Sequence, residues 1–176
     1  MPNNQIAKNG TKLAQNGTIN AALSKPAPLR INKEGRDLIK HFEGVRLTAY
    51  HCSAGVPTIG MGNTRYSDGK EVKMGDKITM QQAEELFELI VTEFENKVRP
   101  LLKASFNVNQ FSALVSFAYN VGVNSLRNST LLRIANKNPN DPNIALEFAK
   151  WNKVKGKPLN GLTRRRKAES DLYFKK

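Results

Sequence analysis

The chain of 176 residues contains a single cysteine and no long apolar run, and both shortages exclude classes of protein. One cysteine, Cys52, cannot form a disulfide within the chain, which is compatible with folding in a reducing cytosol. A signal peptide needs an apolar core of about 7 to 15 residues, and a signal anchor needs a longer one. The most apolar part of the N-terminal stretch, residues 19–23, is shorter and is interrupted by Asn20. We therefore expect synthesis in the cytoplasm without a signal peptide.

Acidic residues are also scarce, with 15 Asp and Glu against 28 Lys and Arg, which gives a formal net charge of +13. Such a charge favours polyanionic partners: nucleic acid, anionic lipid or lipopolysaccharide, or an acidic wall polymer. Net charge alone does not discriminate among them. The basic residues are not interleaved with aromatic residues and match no nucleic-acid-binding motif, so we expect no nucleic acid partner.

The N-terminal residues 1–30 differ in composition from the rest of the chain. They carry four cations and no acidic residue, are rich in Asn, and end in the segment Pro26-Ala27-Pro28. This composition predicts a flexible basic tail with a stiff end. The chain as a whole is 39% hydrophobic and 24% charged, which is typical of a globular protein, so residues 31–176 are expected to form one domain.

Residues 32–44 predict a short amphipathic helix that ends at a carboxylate. Asn32 is a suitable N-cap, apolar residues recur at helical spacing after it, and Gly44 is typical of the position just beyond a helix. Glu43 is then the last side chain of the helix. There the partial negative charge of the helix C-terminus disfavours the ionised carboxylate, which suits a general acid.

Beyond Gly44 the pattern changes to alternation, which predicts a β-hairpin. The strands are residues 47–52 and 56–61, and a turn centred near Gly55 would place Cys52 opposite Thr58 on one face. A thiol is mostly protonated at neutral pH unless a cation lowers its pKa, and an ionised carboxylate nearby would raise that pKa. The sequence therefore leaves open whether Cys52 acts as a thiolate, serving as base or nucleophile, or as a neutral group that positions water.

The rest of the chain predicts a second small hairpin followed only by helices. Residues 66–70 contain an Asp-Gly turn signal. A capping box at Thr79 opens a long helix that ends or kinks at Pro100. Further helices are predicted at 107–121, 131–135 and 145–151. We expect a predominantly helical α+β fold in which the long helix joins a small sheet-containing lobe to a helical lobe.

Residues 150–176 are the most basic part of the chain, with ten cations against two acidic residues. We expect an apolar stripe of the last helix to face the core and the cations to lie outside; the stripe comprises Leu162, Ala168, Leu172 and Tyr173. The outward cations would then capture an anionic envelope, such as an outer-membrane surface. A solvated helix face without a partner is the alternative.

Glu43, Cys52 and Thr58 lie nine and six positions apart, which resembles the Glu, Asp-or-Cys, Thr triad of the phage-type lysozymes, the twenty-fourth glycoside hydrolase family. The segments FEG, AYHC, PTIGMGNT and GLTRRRKAE resemble that family as well. The resemblance covers residues 31–176. The chain departs from the best-known members at two positions, with Cys52 in place of Asp and Asn63 in place of the usual His.

The resemblance implies a two-lobed lysozyme-like fold and a peptidoglycan hydrolase that acts in host cell lysis. Glu43 would protonate the leaving oxygen of the β-1,4 bond between N-acetylmuramic acid and N-acetylglucosamine, while Cys52 and Thr58 would bind or activate water on the other face. The implied partners are peptidoglycan glycan strands and a separate holin that releases the protein to the periplasmic wall. A monomer is expected, and no cofactor or metal is predicted.

The resemblance also places three residues along the saccharide cleft, namely Phe117, Ser129 and Arg165. Gly62 joins them because, with Gly60, it leaves the second strand without side chains, as expected where a ligand or another backbone comes close.

A cysteine hydrolase is the main chemical alternative, with Cys52 as the nucleophile and a histidine as its base. The chain has two histidines. His51 is adjacent to Cys52 on the predicted strand and therefore points to the opposite face, and His41 lies on the first helix with no evident third partner. This alternative is therefore disfavoured.

Overall fold

A computed structural model describes residues 27–52 and 54–176 of the chain. The predicted tail, residues 1–30, lies outside the described residues apart from its last four positions. The elements in chain order are α1 (Lys33–Glu43), β1 (Arg46–His51), β2 (Pro57–Gly60), α2 (Met80–Val98), a 3₁₀ turn (Arg99–Leu101), α3 (Val108–Val121), α4 (Val123–Arg127), α5 (Thr130–Lys137), α6 (Asn143–Ala149), β3 (Lys153–Val154), β4 (Lys157–Pro158) and α7 (Asn160–Tyr173).

Helix α1 begins and ends where the sequence predicts. The side chain of Asn32 accepts a hydrogen bond from the backbone N–H of Gly35 at 2.9 Å, and Gly44 follows the last helical residue, Glu43. Gly35 allows α1 to approach α3 closely, because a Cβ atom at this position would lie 2.7 Å from the Cβ of Ser112. This close packing fixes the end of α1, and therefore Glu43, relative to α3.

Helix α2 is the predicted long helix between the lobes. Thr79 and Gln82 form the predicted capping box, in which each side chain bonds the backbone N–H of the other residue, at 3.1 and 2.8 Å. The helix ends at Val98, and Pro100 lies in the 3₁₀ turn that follows. Both outcomes confirm the prediction.

Helix α2 contributes buried residues to two separate hydrophobic clusters, and each cluster forms the core of one lobe. The smaller one belongs to the sheet-containing lobe and consists of Ala49, Ile59, Val72 and Leu86. The larger one contains other buried residues of α2, such as Phe87 and Val91, and extends through the helical lobe. Helix α3 is central to that lobe and packs against α1, α2, α4 and α7. The predicted α+β architecture is confirmed.

The register of the first hairpin differs from the prediction. Tyr50 pairs with Thr58, and the backbone N–H of Cys52 donates to the carbonyl of Val56 at 3.0 Å. Cys52 therefore lies opposite Val56 and not opposite Thr58, because the turn is centred on position 54. Positions 52 and 58 are diagonal neighbours that still share one face of the hairpin.

The other predicted hairpin is reduced to an isolated bridge between Arg65 and Glu71. A different hairpin, β3–β4, was missed by the sequence analysis. Its two-residue turn consists of Lys155 and Gly156, with φ angles of 48° and 78°. Positive φ at both turn residues matches the twist of a short antiparallel hairpin.

The last residues of the predicted tail are held against α2. The guanidinium of Arg99 donates to the carbonyl of Leu29 at 2.8 Å, and Arg30 pairs with the carboxylate of Glu95 at 2.8 Å. The backbone N–H of Ile31 also donates to Glu95, whose side chain has no exposed surface. Contacts with the domain therefore extend back to Leu29. Within the described part of the chain, no helix has the length and apolar character needed to cross a membrane.

Candidate active site

Glu43 lies in an open cleft of about 750 Å³ between the end of α1, the end of α3 and the start of α7. The cleft is lined by His41, Phe42, Glu43, Asn120, Leu159, Asn160, Gly161, Leu162, Arg164 and Arg165. The side chain of Glu43 is 24% exposed, so it is both reachable from solvent and held by the protein. Its position follows directly from the end of α1 at Gly44.

Arg165 holds the carboxylate of Glu43 in place. Its Nη1 donates to Oε1 of Glu43 at 2.7 Å, and its guanidinium lies 5.5 Å from the centre of the Phe42 ring. Only 4% of the Arg165 side chain is exposed. The predicted cleft residue Arg165 is therefore brought to Glu43, although the sequence analysis did not predict the ion pair between them.

The expectation that the cations of α7 lie outside is wrong for Arg165 and Arg166, which are 3% and 1% exposed. Both turn inward because Glu169, one turn further along α7, is fully buried and pairs with each of them. The Nε atom of Arg165 lies 3.2 Å from Oε1 of Glu169, and that of Arg166 lies 2.8 Å from Oε2. Ion pairing at helical spacing therefore overrides the apolar pattern.

Neighbouring polar groups complete this buried cluster. The hydroxyl of Ser116 on α3 donates to Glu169 at 2.9 Å, and Arg166 donates to the side chain of Asn120 at 3.0 Å. Burial raises the pKa of Glu169, while Arg166, Arg165 and Ser116 act in the opposite direction. Burial likewise lowers the pKa of Arg166. Ser116, Asn120 and Glu169 were not predicted from the sequence; the spacing of Glu169 from the two arginines was the available signal.

Cys52 lies at the end of β1 among hydrogen-bond donors. The backbone N–H groups of Ala54 and Val56 and the hydroxyl of Thr58 lower the pKa of the Cys52 thiol. Thr58 is 3% exposed, and its hydroxyl donates a hydrogen bond to the carbonyl of Val56 at 2.9 Å. The structure therefore supplies thiolate stabilisation from the turn itself, where the sequence analysis had considered only a cation.

Two tyrosines lie close enough to Glu43 for its charge to raise their pKa values. Burial raises the pKa of Tyr50, the charge of Arg46 lowers it, and the charges of Glu43 and Cys52 raise it by smaller amounts. Burial also raises the pKa of Tyr119, with a smaller contribution from Glu43. Neither tyrosine was predicted from the sequence.

The predicted cleft residue Gly62 lies beside Tyr119, in a backbone conformation that favours glycine. The hydroxyl of Tyr119 donates to the carbonyl of Met61 at 2.7 Å, which ties α3 to the segment after β2. Gly62 has a φ angle of 106°, where side chains are rarely found. A Cβ atom there would lie 3.8 Å from the Tyr119 hydroxyl, which is an ordinary contact.

The structure does not bring the other two predicted cleft residues to Glu43. Phe117 has no exposed surface and packs edge-on against the rings of Phe148 and Trp151, so it cannot touch a saccharide directly in this conformation. Ser129 caps α5 by accepting a hydrogen bond from the backbone N–H of Leu132 at 3.0 Å, and it lines a separate cavity. Both were expected from the resemblance alone.

The histidines are not arranged as a base for Cys52. The ring of His51 bonds the carbonyl of Gly55 at 2.9 Å, and His41 packs edge-on against Phe42. Neither histidine is among the groups that shift the pKa of Cys52. Among residues 27–52 and 54–176, no three His, Cys, Asp or Glu side chains cluster closely enough to hold a metal ion.

Comparison with known proteins gives consistent matches. The endolysin of Bacillus phage B103 is 43% identical over 151 residues, which cover 83% of this chain and 54% of that protein. The chain therefore spans about half the length of that relative, and likewise of the endolysin of Bacillus phage PZA. The endolysin of Salmonella phage P22 is 36% identical over 146 residues, which cover 83% of this chain and 99% of that protein.

Solved structures agree. The endolysin from Escherichia coli O157:H7 phage FAHEc1 superposes with a TM-score of 0.74 at 43% identity, covering 82% of this chain and 93% of that one. A mutant of P22 lysozyme superposes with a TM-score of 0.73 at 34% identity, covering 83% and 99%. The sequence model of the family described as phage lysozyme matches residues 40–169. The chain therefore belongs to the phage lysozyme family, as its resemblance predicted.

Proposed function

We propose that the protein is a muramidase that cleaves the β-1,4 bond between N-acetylmuramic acid and N-acetylglucosamine in peptidoglycan, and that it acts as an endolysin in host cell lysis. The main support is the family match together with Glu43, whose partly exposed carboxylate lies in an open cleft and is held there by Arg165. The endolysin relatives and the lysozyme family match support the same reaction.

Glu43 is the proposed general acid. Arg165 donates to Oε1, so Oε2 is the oxygen available to carry the proton towards the glycosidic oxygen. The limited exposure of the side chain and its fixed place at the end of α1 favour one orientation. Arg165 is thus proposed to orient the acid as well as to line the cleft.

Cys52 is proposed to act as a thiolate that takes a proton from the attacking water, with Thr58 fixing the local geometry. The donors around Cys52 favour the thiolate, which is the basic form of the side chain. An inverting glycosidase needs a separation of roughly 6.5 to 9.5 Å between its acid and its base to admit water. This route uses only side chains of the chain itself.

The lysine-rich hairpin β3–β4 is proposed to bind anionic polymers of the bacterial envelope. Lys153, Lys155 and Lys157 are exposed and, within the part of the chain that the structure describes, have no acidic partner within ion-pair distance. The exposed α7 cation Lys167, by contrast, pairs with Asp171 at 2.7 Å. We therefore assign the predicted binding of an anionic envelope to this hairpin and not to the C-terminal helix that follows it.

Action as a monomer and release by a separate holin are further proposals, supported by similarity to endolysins. They are independent of the proposed reaction.

Product analysis tests the proposed reaction. Purified peptidoglycan is digested with the protein, and new reducing sugar ends and new free amino groups are both measured. We expect reducing ends from the wild-type protein and none above background from Glu43→Gln. Free amino groups without reducing ends would indicate an amidase or peptidase and would refute the proposal.

A further inference from the structure

We infer that Glu169 is a positioning residue for the proposed acid Glu43 and that it acts through Arg165. The inference rests on the proposed function and assigns a role to the buried cluster on α7 and α3. Glu169 does not touch the cleft, because its side chain is fully buried. Any effect on the reaction must therefore pass through the groups that it contacts.

Arg165 is the physical link between the two carboxylates. Its Nη1 donates to Glu43 at 2.7 Å while its Nε donates to Glu169 at 3.2 Å, so one planar guanidinium is held at both edges. The backbone of Ser116 adds a weak contact to the third nitrogen at 3.5 Å. Without Glu169, the Arg165 side chain would keep its contact with Glu43 but lose the anchor that fixes its plane.

Glu169 is itself held from two elements, so it can serve as that anchor. The Ser116 hydroxyl on α3 donates to Oε1 at 2.9 Å, and Arg166 donates to the same oxygen at 3.0 Å. Arg166 is fixed in turn by Asn120 and by the Phe117 ring, whose centre lies 4.8 Å from the guanidinium. This gives the buried Phe117 a place in the support of the site.

The cluster also sets the charge that faces Glu43. Two guanidiniums, Arg165 and Arg166, are opposed by the single carboxylate of Glu169, so one unit of positive charge remains to pair with an ionised Glu43. Replacing Glu169 by a neutral side chain would leave two units. A stronger positive field favours the ionised form of Glu43, which cannot donate a proton.

The titratable groups around these two carboxylates come from several elements. They are His41 on α1, Arg164, Arg165 and Arg166 on α7, Tyr119 on α3, and Tyr50 and Cys52 on or just after β1. On the neighbouring α6, Glu147 and Lys150 pair with each other at 2.5 Å. All of these groups are kept in the test variant, which removes only the charge of Glu169.

The test uses Glu169→Gln, which keeps the shape and the hydrogen bond to Ser116 but removes the charge. Glu95→Gln is a matched control, because Glu95 is also fully buried and pairs with two arginines, Arg30 at 2.8 Å and Arg99 at 3.8 Å. Both variants lose a buried carboxylate between guanidiniums, but only one of these guanidiniums contacts Glu43. Reducing-end release from soluble peptidoglycan fragments is measured across pH, together with the melting temperature.

We expect both variants to be destabilised, while only Glu169→Gln changes the reaction. Its kcat should fall by about tenfold or more relative to Glu95→Gln, with KM changed by less than about threefold, because the substrate contacts are kept. The basic limb of its pH–rate profile should move to lower pH by about half a unit or more. Glu169→Asp should restore the position of that limb, since the charge is kept, but not the full kcat, since the anchor is shorter.

Identical kcat and pH profiles for Glu169→Gln and Glu95→Gln, after correction for the folded fraction, would overturn the inference. If Glu169→Gln does not fold, Glu169→Asp decides, and a wild-type kcat in that variant would overturn the positioning role. The wild-type protein is measured in the same assay. A wild-type protein that releases no reducing ends would refute the proposed function and this inference together. If the wild-type protein is active, the comparison of the variants tests the inference alone.

Discussion

The thiolate role of Cys52 makes a prediction that separates it from water positioning by a neutral thiol. The perturbation is the series Cys52→Ala, Cys52→Ser and Cys52→Asp. The alanine removes every polar function, the serine keeps a hydrogen-bonding group that is a poor base, and the aspartate supplies a carboxylate. The backbone hydrogen bond from position 52 to Val56 is kept in all three, so we expect melting temperatures close to that of the wild-type protein.

The size of the effect follows from the role. A positioned general base contributes about 10²- to 10⁴-fold to the rate, so Cys52→Ala should lose activity in that range. Cys52→Ser should lose about as much as the alanine variant, because a hydroxyl is not ionised near neutral pH. Cys52→Asp should retain substantial activity, because a carboxylate in the same place can accept the proton from water.

The pH dependence of the activity is an independent test of the thiolate role. The donors from Ala54, Val56 and Thr58 lower the pKa of Cys52, so activity should fall as the pH drops through that lowered value and the thiolate becomes protonated. In Cys52→Asp this acid limb should move to lower pH, because the ordinary pKa of an aspartate is about 3.9 against about 8.5 for a thiol. The rate of alkylation by iodoacetamide should report the same lowered pKa, and it has one target because Cys52 is the single cysteine.

The assay is initial-rate release of reducing ends from purified peptidoglycan at several pH values. A serine variant with nearly wild-type activity would refute the thiolate mechanism and favour water positioning. An alanine variant with full activity, together with a wild-type protein that survives alkylation, would remove Cys52 from the reaction altogether.

Three other predictions concern separate parts of the chain. Glu43→Gln should reduce reducing-end release by about 10²-fold or more without a change in the circular dichroism spectrum, because the amide keeps the shape but cannot donate the proton; activity within a few-fold of wild type would contradict this role. Replacing Lys153, Lys155 and Lys157 by Gln should weaken sedimentation with intact cell walls and its salt sensitivity more than turnover of short oligosaccharides; equal losses on both would point to a structural role. Deleting residues 1–28 should leave the melting temperature nearly unchanged, since that segment has little apolar surface to bury and the contacts of Leu29 remain; a large decrease would show that the segment docks.

The ends of the helices could be predicted from the sequence because their causes are local. The caps at Asn32 and Thr79 each act within about one helical turn, and each is found as predicted. The same is true of Gly44, which follows α1. With these ends in place, the position of Glu43 at the end of α1 required no tertiary information.

The register of the hairpin and the burial of two arginines could not be predicted in this way. The turn between Cys52 and Val56 shifted the pairing by two residues, and a glycine alone did not locate its centre. Arg165 also contacts Glu43, which precedes it by 122 positions, and no local pattern reports such a contact. The spacing of Glu169 from the arginines was visible, but it is equally common on solvated helices.

The cost of burying this cluster is itself an argument about its purpose. Replacing a buried ion pair by apolar residues of similar volume is often neutral or stabilising, so stability alone does not explain why Arg165, Arg166 and Glu169 occupy the contact between α3 and α7. The cluster instead lies directly behind Glu43 and connects it to both helices. It follows that the acid of the proposed reaction depends on the last helix of the chain as much as on the helix that carries it. A fragment that retained Glu43, Cys52 and Thr58 but lacked α7 would have the triad without the groups that orient it.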